Sequence, residues 1–309
     1  MQFQILCADF SLKTYNALAP SEVEILLYFN VLMIYSVIMT LRTRNHIYMF
    51  FFIFSIFVSV GSAVFFAVTT FLGHSAAPDG MTRISKLASL FPFHYYATVA
   101  GIFAFALYVP VIAGFVYFGF EQTQSEEISF FLFFLAGCLL ELVRLAFPQY
   151  DLWRTSSLAL IIAGRALIVG RLLTVLSMFF SALFSGVRHR QNLERNLFLL
   201  VVIAMAMGTF YPVNTMAMTT TLRIGLGMNS LFNMSRFVLI LATFFTMIYN
   251  HKSEDYIKSQ RENAGFFLMM AGYLVLTGAD NYVMLATGCA ALPLGTAAYL
   301  KALHSRLWT

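Results

Sequence analysis

Residues 45–78 and 87–120 are each 34 residues long and hold no Asp, Glu, Lys or Arg, and residues 196–222 repeat the pattern over 27 residues. A helix crosses the hydrocarbon of a bilayer with about 20 apolar residues. A water-soluble domain carries about 25% charged residues, whereas this chain carries 11%, with 60% hydrophobic. Segments of this kind cannot be buried in one soluble core, and they identify the chain as integral to a membrane.

Backbone amides find no water in hydrocarbon, so a spanning chain is either helical or a closed barrel. Barrel strands of about 10 residues alternate apolar and polar positions. The runs here, such as 50–60 and 130–140, are long and predominantly apolar, without that alternation. The expected fold class is therefore all-α: a polytopic transmembrane helical bundle forming a single membrane domain over residues 1–309, with no soluble domain.

Nine spans are predicted, at about residues 25–41, 47–72, 94–120, 128–147, 156–184, 197–218, 231–249, 265–278 and 282–300. Residues 265–278 are short for a crossing, so a count of eight stays open. Between 73 and 92, Met81, Ile84, Leu87 and Leu90 recur every third residue with Arg83 and Lys86 between them, the pattern of a short interfacial helix. Residues 1–21 lack the basic start and apolar middle of a secretory signal and read as a retained N-terminal segment.

Lys and Arg alternate unequally between successive loops. Arg42, Arg44, Arg188, Arg190, Arg195, Lys252, Lys258, Arg261, Lys301 and Arg306 fall on one side, against Lys13, Arg83, Lys86, Arg154 and Arg223 on the other. The positive-inside rule then puts the N-terminus outside and the C-terminus in the cytoplasm, in a membrane such as the bacterial inner (plasma) membrane. Loops 188–195 and 250–263 are the polar cytoplasmic surfaces where a protein partner could dock. The net charge of +5 needs no nucleic acid to explain it.

Charged residues inside apolar runs carry the most information, because each costs several kcal/mol at mid-bilayer unless paired or hydrated. Glu141, Arg144, Arg165 and Arg171 qualify. Glu141 and Arg144 share a helix face, and counting inward from the turn at Pro148 puts Glu141 and Arg165 at comparable depths. The expected ion pair is Glu141 with Arg165, leaving Arg171 deeper and open to an anionic ligand or lipid headgroup. The competing reading is an ion pair that only fixes helix packing.

Prolines 110, 212 and 293 fall inside predicted spans and mark candidate kinks; Asn214, beside Pro212, could donate to a freed carbonyl. Gly288, Ala291, Gly295 and Ala298 lie along one helical face and predict a close internal helix contact. Cys7, Cys138 and Cys289 are too far apart in sequence to imply a disulfide framework. The histidines are never at metal-ligand spacing, and no phosphate-binding glycine loop, Gly-x-Ser-x-Gly or His-Glu-x-x-His occurs.

These features imply no cofactor, no metal and no enzyme. The leading expectation is a non-enzymatic sensor or membrane-complex component with a buried Glu/Arg hairpin. The alternative is a transporter of a small anionic solute or lipid.

Overall fold

The computed structural model describes residues 41–71, 92–120, 125–148, 157–184, 193–250 and 256–307. The predicted helix at 25–41, the predicted interfacial helix at 73–92 and residues 188–192 and 251–255 of the two polar loops lie outside the described residues. Eight long helices are present among the described ones: α1 (Leu41–Phe71), α2 (Tyr95–Gly119), α3 (Glu126–Leu140), α4 (Ser157–Phe184), α5 (Leu193–Phe210), α6 (Asn229–Asn250), α7 (Tyr256–Thr277) and α8 (Tyr282–Leu307). A 3₁₀ segment, Glu141–Ala146, continues α3, and a two-stranded hairpin, β1 (Val213–Met218) with β2 (Ile224–Leu226), separates α5 from α6.

Seven of these helices are long and apolar enough to cross a membrane, α7 being the exception. The chain is thus a helical membrane protein with seven such spans among the described residues; the predicted count of nine is not confirmed, the first predicted span lying outside them. In α7 the charges Lys258, Arg261 and Glu262 occupy the first two turns, so its apolar part is only about as long as the 265–278 segment read from sequence.

The exterior is what lipid demands and water would penalise. Phe50, Ile53, Phe54, Phe57, Val60, Val64 and Val68 are exposed along α1, and Met234, Phe237, Val238, Leu241 and Phe245 along α6. Polar residues turn inward. Tyr48 Oη meets Ser129 Oγ at 3.0 Å, joining α1 to α3, and Tyr108 Oη meets Thr296 Oγ1 at 2.7 Å, joining α2 to α8.

Two ends of the bundle can be told apart by their contacts. At one, Phe120 at the close of α2 packs on His304 of α8, and Phe130 near the start of α3 stacks on Phe184 at the end of α4. At the other, the amide of His94 before α2 donates to the carbonyl of Asp280 in the α7–α8 turn (3.0 Å), and the β-hairpin is seated there.

Several boundaries differ from the sequence reading, each for a local reason. The basic stretch 42–46, read as a loop, is helical, because α1 begins at Leu41. The span predicted to reach residue 218 stops at Phe210. Pro212 lacks an amide for a continuing helix and biases Tyr211 toward extended backbone. Beyond it, β-branched Val213, Thr215, Thr219, Thr220 and Thr221 favour a strand, and Gly225 and Gly227 disfavour a helix. The hairpin pairs Val213 with Leu226 and Asn214 with Gly225, then shifts register before Met218 and Ile224. Its turn closes with Leu222 at φ 51°, a conformation leucine seldom adopts. Leu222 is fully buried, so packing holds it there.

The stripe of Gly288, Ala291, Gly295 and Ala298 faces α7. A Cβ on Gly295 would lie 2.2 Å from the Met269 amide nitrogen, and one on Gly272 would lie 2.4 Å from that of Leu292. Only glycine lets these two backbones approach so closely.

Candidate functional site: a buried arginine cluster

Backbone that leaves a helix in a membrane protein must have its freed groups satisfied by protein or water, and the hairpin shows how this chain does so. Met218 to Ile224 are all buried. The Thr98 hydroxyl of α2 donates to the Thr220 carbonyl (3.3 Å), and the Thr220 hydroxyl donates to Asp280 Oδ2 (3.3 Å). Arg144 reaches in from the 3₁₀ segment. Its Nε donates to the Thr221 carbonyl at 2.8 Å, its Nη2 donates to the same oxygen, and its Nη1 donates to Glu141 Oε2 at 3.1 Å.

Glu141 is fully buried and completes the arrangement through α4. Arg171 Nε donates to Glu141 Oε1 at 2.7 Å, and Arg171 Nη2 donates to Oε2 at 2.9 Å, a bidentate fork of the geometry a guanidinium favours. The expected Glu141–Arg165 pair does not form. Arg165 lies six residues before Arg171, about 120° away around the helix, and its side chain is exposed. An Arg165→Gln substitution is therefore expected to change the unfolding midpoint in detergent by an amount near zero, within about 0.5 kcal/mol. A loss comparable to that of Glu141→Ala would contradict this geometry.

Two further arginines complete the cluster and were not singled out from sequence. Arg223, which leads from the turn into β2, is 6% exposed, and Arg236, on the second turn of α6, is 9% exposed. Arg223 interacts electrostatically with Arg171, Arg236, Arg144 and Glu141; Arg236 does so with Tyr273, Arg171 and Glu141. Arg223 Nη2 donates to Asn229 Oδ1 at 3.0 Å, and the Arg236 guanidinium lies 5.5 Å from the centroid of Phe232. Nε of Arg223 and both Nε and Nη2 of Arg236 are buried with no hydrogen-bond partner.

The signal for Arg236 was present, since it interrupts an apolar run just as Arg171 does. Its place near the start of the predicted span at 231–249 is equally compatible with a water boundary. Arg223 gave no such signal. Its burial depends on a hairpin that a helical reading of residues 197–218 conceals.

Two guanidinium groups thus hold one carboxylate, and two more, those of Arg223 and Arg236, are buried within electrostatic reach of it. A small cavity of about 10 Å³ lies between α4 and the hairpin, with Arg171, Arg223, Ile168, Val213 and Phe232 in its wall. Room of that size holds about one water. Toward the opposite end, the space below the cluster is filled by aromatic side chains. Tyr273 packs edge-on against Phe105 and Phe134, and Tyr299 edge-on against Phe266 and tilted against Phe131, with Thr174 Oγ1 donating to Tyr273 Oη at 2.9 Å.

The remaining sequence candidates fall elsewhere. Pro110 and Pro293 sit inside α2 and α8, which run continuously through them. Pro212 is not a kink within a helix; it follows the end of α5, and its carbonyl accepts from the Gly227 amide at 3.0 Å, closing the base of the hairpin. Asn214 is an exposed residue of β1. Comparison of the chain with protein families, with curated proteins and with solved structures finds no match.

Proposed function

We propose that this chain is an integral membrane component that recognises an anionic ligand at the hairpin end of its bundle and does not transform it. The observation that carries this reading is the unbalanced charge: of four buried arginines, Arg144 and Arg171 share the carboxylate of Glu141, and guanidinium N–H groups of Arg223 and Arg236 have no acceptor. Buried cations cost several kcal/mol each when uncompensated, so an anion gains most of what those groups lack. The aromatic packing around Tyr273 and Tyr299 supports recognition ahead of conduction, because these rings fill the space beside Thr174, Ser177 and Ser181, the buried hydroxyls that continue from Arg171 along α4.

The orientation belongs to the same proposal. The end opposite the hairpin carries Arg44, Arg195 and Lys301, and the loops 188–195 and 250–263 belong to the same side in the sequence reading. Under the positive-inside rule that end is cytoplasmic, as in a bacterial inner membrane, and those loops are the surface for a protein partner. The arginine cluster then reads the extracytoplasmic side. The second reading, a transporter of a small anionic solute or lipid, draws on Pro110 and Pro293 inside α2 and α8, where proline removes a helix hydrogen bond and permits bending.

The two are separated by measuring binding and flux on one preparation. Purified chain is titrated with sulfate, phosphate, glutamate and chloride at constant ionic strength, then reconstituted into vesicles loaded with the same labelled anions. We expect a rise in thermal stability with at least one anion and no release above protein-free vesicles. Release that depends on the protein moves the assignment to transport, and a chain indifferent to every anion removes the reading altogether.

A further inference from the structure

We propose that Arg171, Arg223 and Arg236 hold a phosphate-type dianion, either a free phosphate group or the phosphate of a lipid headgroup. The inference rests on the anion-recognition reading above and names the chemistry of its ligand. A carboxylate is planar and is satisfied by one arginine fork, which is how Glu141 is already held by Arg171. The remaining donors are arranged differently. The donors without an acceptor are Nε of Arg223 on the hairpin and Nε and Nη2 of Arg236 on α6, while Arg171, whose fork is spent on Glu141, lines the cavity together with Arg223. Three donors brought from two elements match the non-coplanar oxygens of a tetrahedral anion better than the two coplanar oxygens of a carboxylate.

Charge gives a second, independent argument. Four guanidinium groups less one carboxylate leave a formal surplus of three positive charges in a buried cluster. A halide or carboxylate would offset one of them, and a phosphate dianion offsets two. The Asn229 side chain, which accepts from Arg223 Nη2, holds that guanidinium by one edge while its Nε stays without an acceptor. The Phe232 ring beneath Arg236 supports that guanidinium by its face and offers no lone pair to its N–H groups.

The cavity at about 10 Å³ is smaller than a phosphate, so the ligand enters by displacing the hairpin from α4. The contact to be opened is the close packing of the hairpin on a glycine of α4. A Cβ on Gly164 would lie 3.0 Å from Val213 Cγ1, and Val213 and Ile224 are the hairpin residues against that turn of α4.

The test uses the full chain in phosphatidylcholine nanodiscs at pH 7.5, titrated with inorganic phosphate, acetate or chloride at matched ionic strength. A parallel series replaces part of the phosphatidylcholine with phosphatidic acid. Phosphate or phosphatidic acid should raise the thermal midpoint by about 3 °C at saturation, with acetate and chloride below about 1 °C. A response to inorganic phosphate assigns a soluble source, and a response to phosphatidic acid alone assigns a lipid. Arg236→Gln and Arg223→Gln should each weaken the response at least about tenfold.

Without ligand, Arg236→Gln should melt no lower than the parent, because it removes an unpaired buried cation. A lower melting point with an intact phosphate response assigns Arg236 a purely structural role and overturns its place in the site. An equal response to acetate or chloride overturns the phosphate assignment and leaves anion recognition standing. Silence toward every anion overturns both.

Discussion

Glu141→Ala is expected to be among the most damaging single substitutions in this chain, lowering stability by about 3–5 kcal/mol. The carboxylate is fully buried and receives hydrogen bonds from two arginines, at 2.7 and 2.9 Å from Arg171 and 3.1 Å from Arg144. Its removal strands both guanidiniums in a cluster that already holds Arg223 and Arg236. The loss also propagates, because Arg144 braces the hairpin at the Thr221 carbonyl. Equilibrium unfolding in mixed micelles measures it. Glu141→Gln should lose nearly as much, since shape is kept and charge is not, whereas pairing Glu141→Leu with Arg171→Met should recover part of the loss by removing both charges together. A Glu141→Gln protein as stable as the parent would show that packing, not the ion pairs, holds this region.

Gly295→Leu should cost about 3 kcal/mol or more, by a different route. The atoms in the way are backbone: the Met269 amide nitrogen at 2.2 Å and the Leu268 carbonyl carbon at 2.7 Å from a Cβ placed there. No rotamer change relieves such a clash, so α7 and α8 must separate, and α7 is the least hydrophobic of the eight helices and so the least able to find another seat. Gly61→Ala is the control. Nothing lies within 4 Å of a Cβ at that position on α1, and alanine in a helix interior should add up to about 1 kcal/mol. Thermal unfolding of the two variants side by side should move the midpoint in opposite directions, and similar losses in both would refute the close packing of α7 on α8.

Both predictions rest on residues of which the sequence supplied one half of the description. The Gly288–Ala298 stripe was visible at helical spacing, but its partner face, Gly265 and Gly272 on α7, was hidden in a segment judged only by its length. Glu141, Arg144 and Arg171 were visible because an ionisable residue in an apolar run is costly wherever it sits. Which of two arginines on α4 reaches Glu141 was not visible. Depth counting favoured Arg165, and the angular position around the helix decides for Arg171.

The hairpin marks the clearest limit of linear reading. Residues 196–222 form an unbroken uncharged run, and apolarity alone cannot separate a full-length helix from a shorter helix followed by a strand. Pro212 and the threonines that follow carried the distinction, yet a proline-kinked helix has the same composition. What settles the matter is whether the freed backbone groups find partners. Here they do, in Thr98, Arg144 and the opposite strand, all distant in sequence.

By itself, the amino-acid order determined that this chain lives in a membrane, that it is helical, and that its buried charge gathers near residues 141–171. These properties follow from the cost of exposing apolar surface to water and backbone amides to hydrocarbon, which act on each segment independently. Tertiary structure alone decided the pairing within that charge, the arrival of Arg223 and Arg236, and the positive surplus that makes the cluster a candidate anion site. Electrostatic balance is a sum over neighbours in space, and those neighbours come from α3, α4, the hairpin and α6.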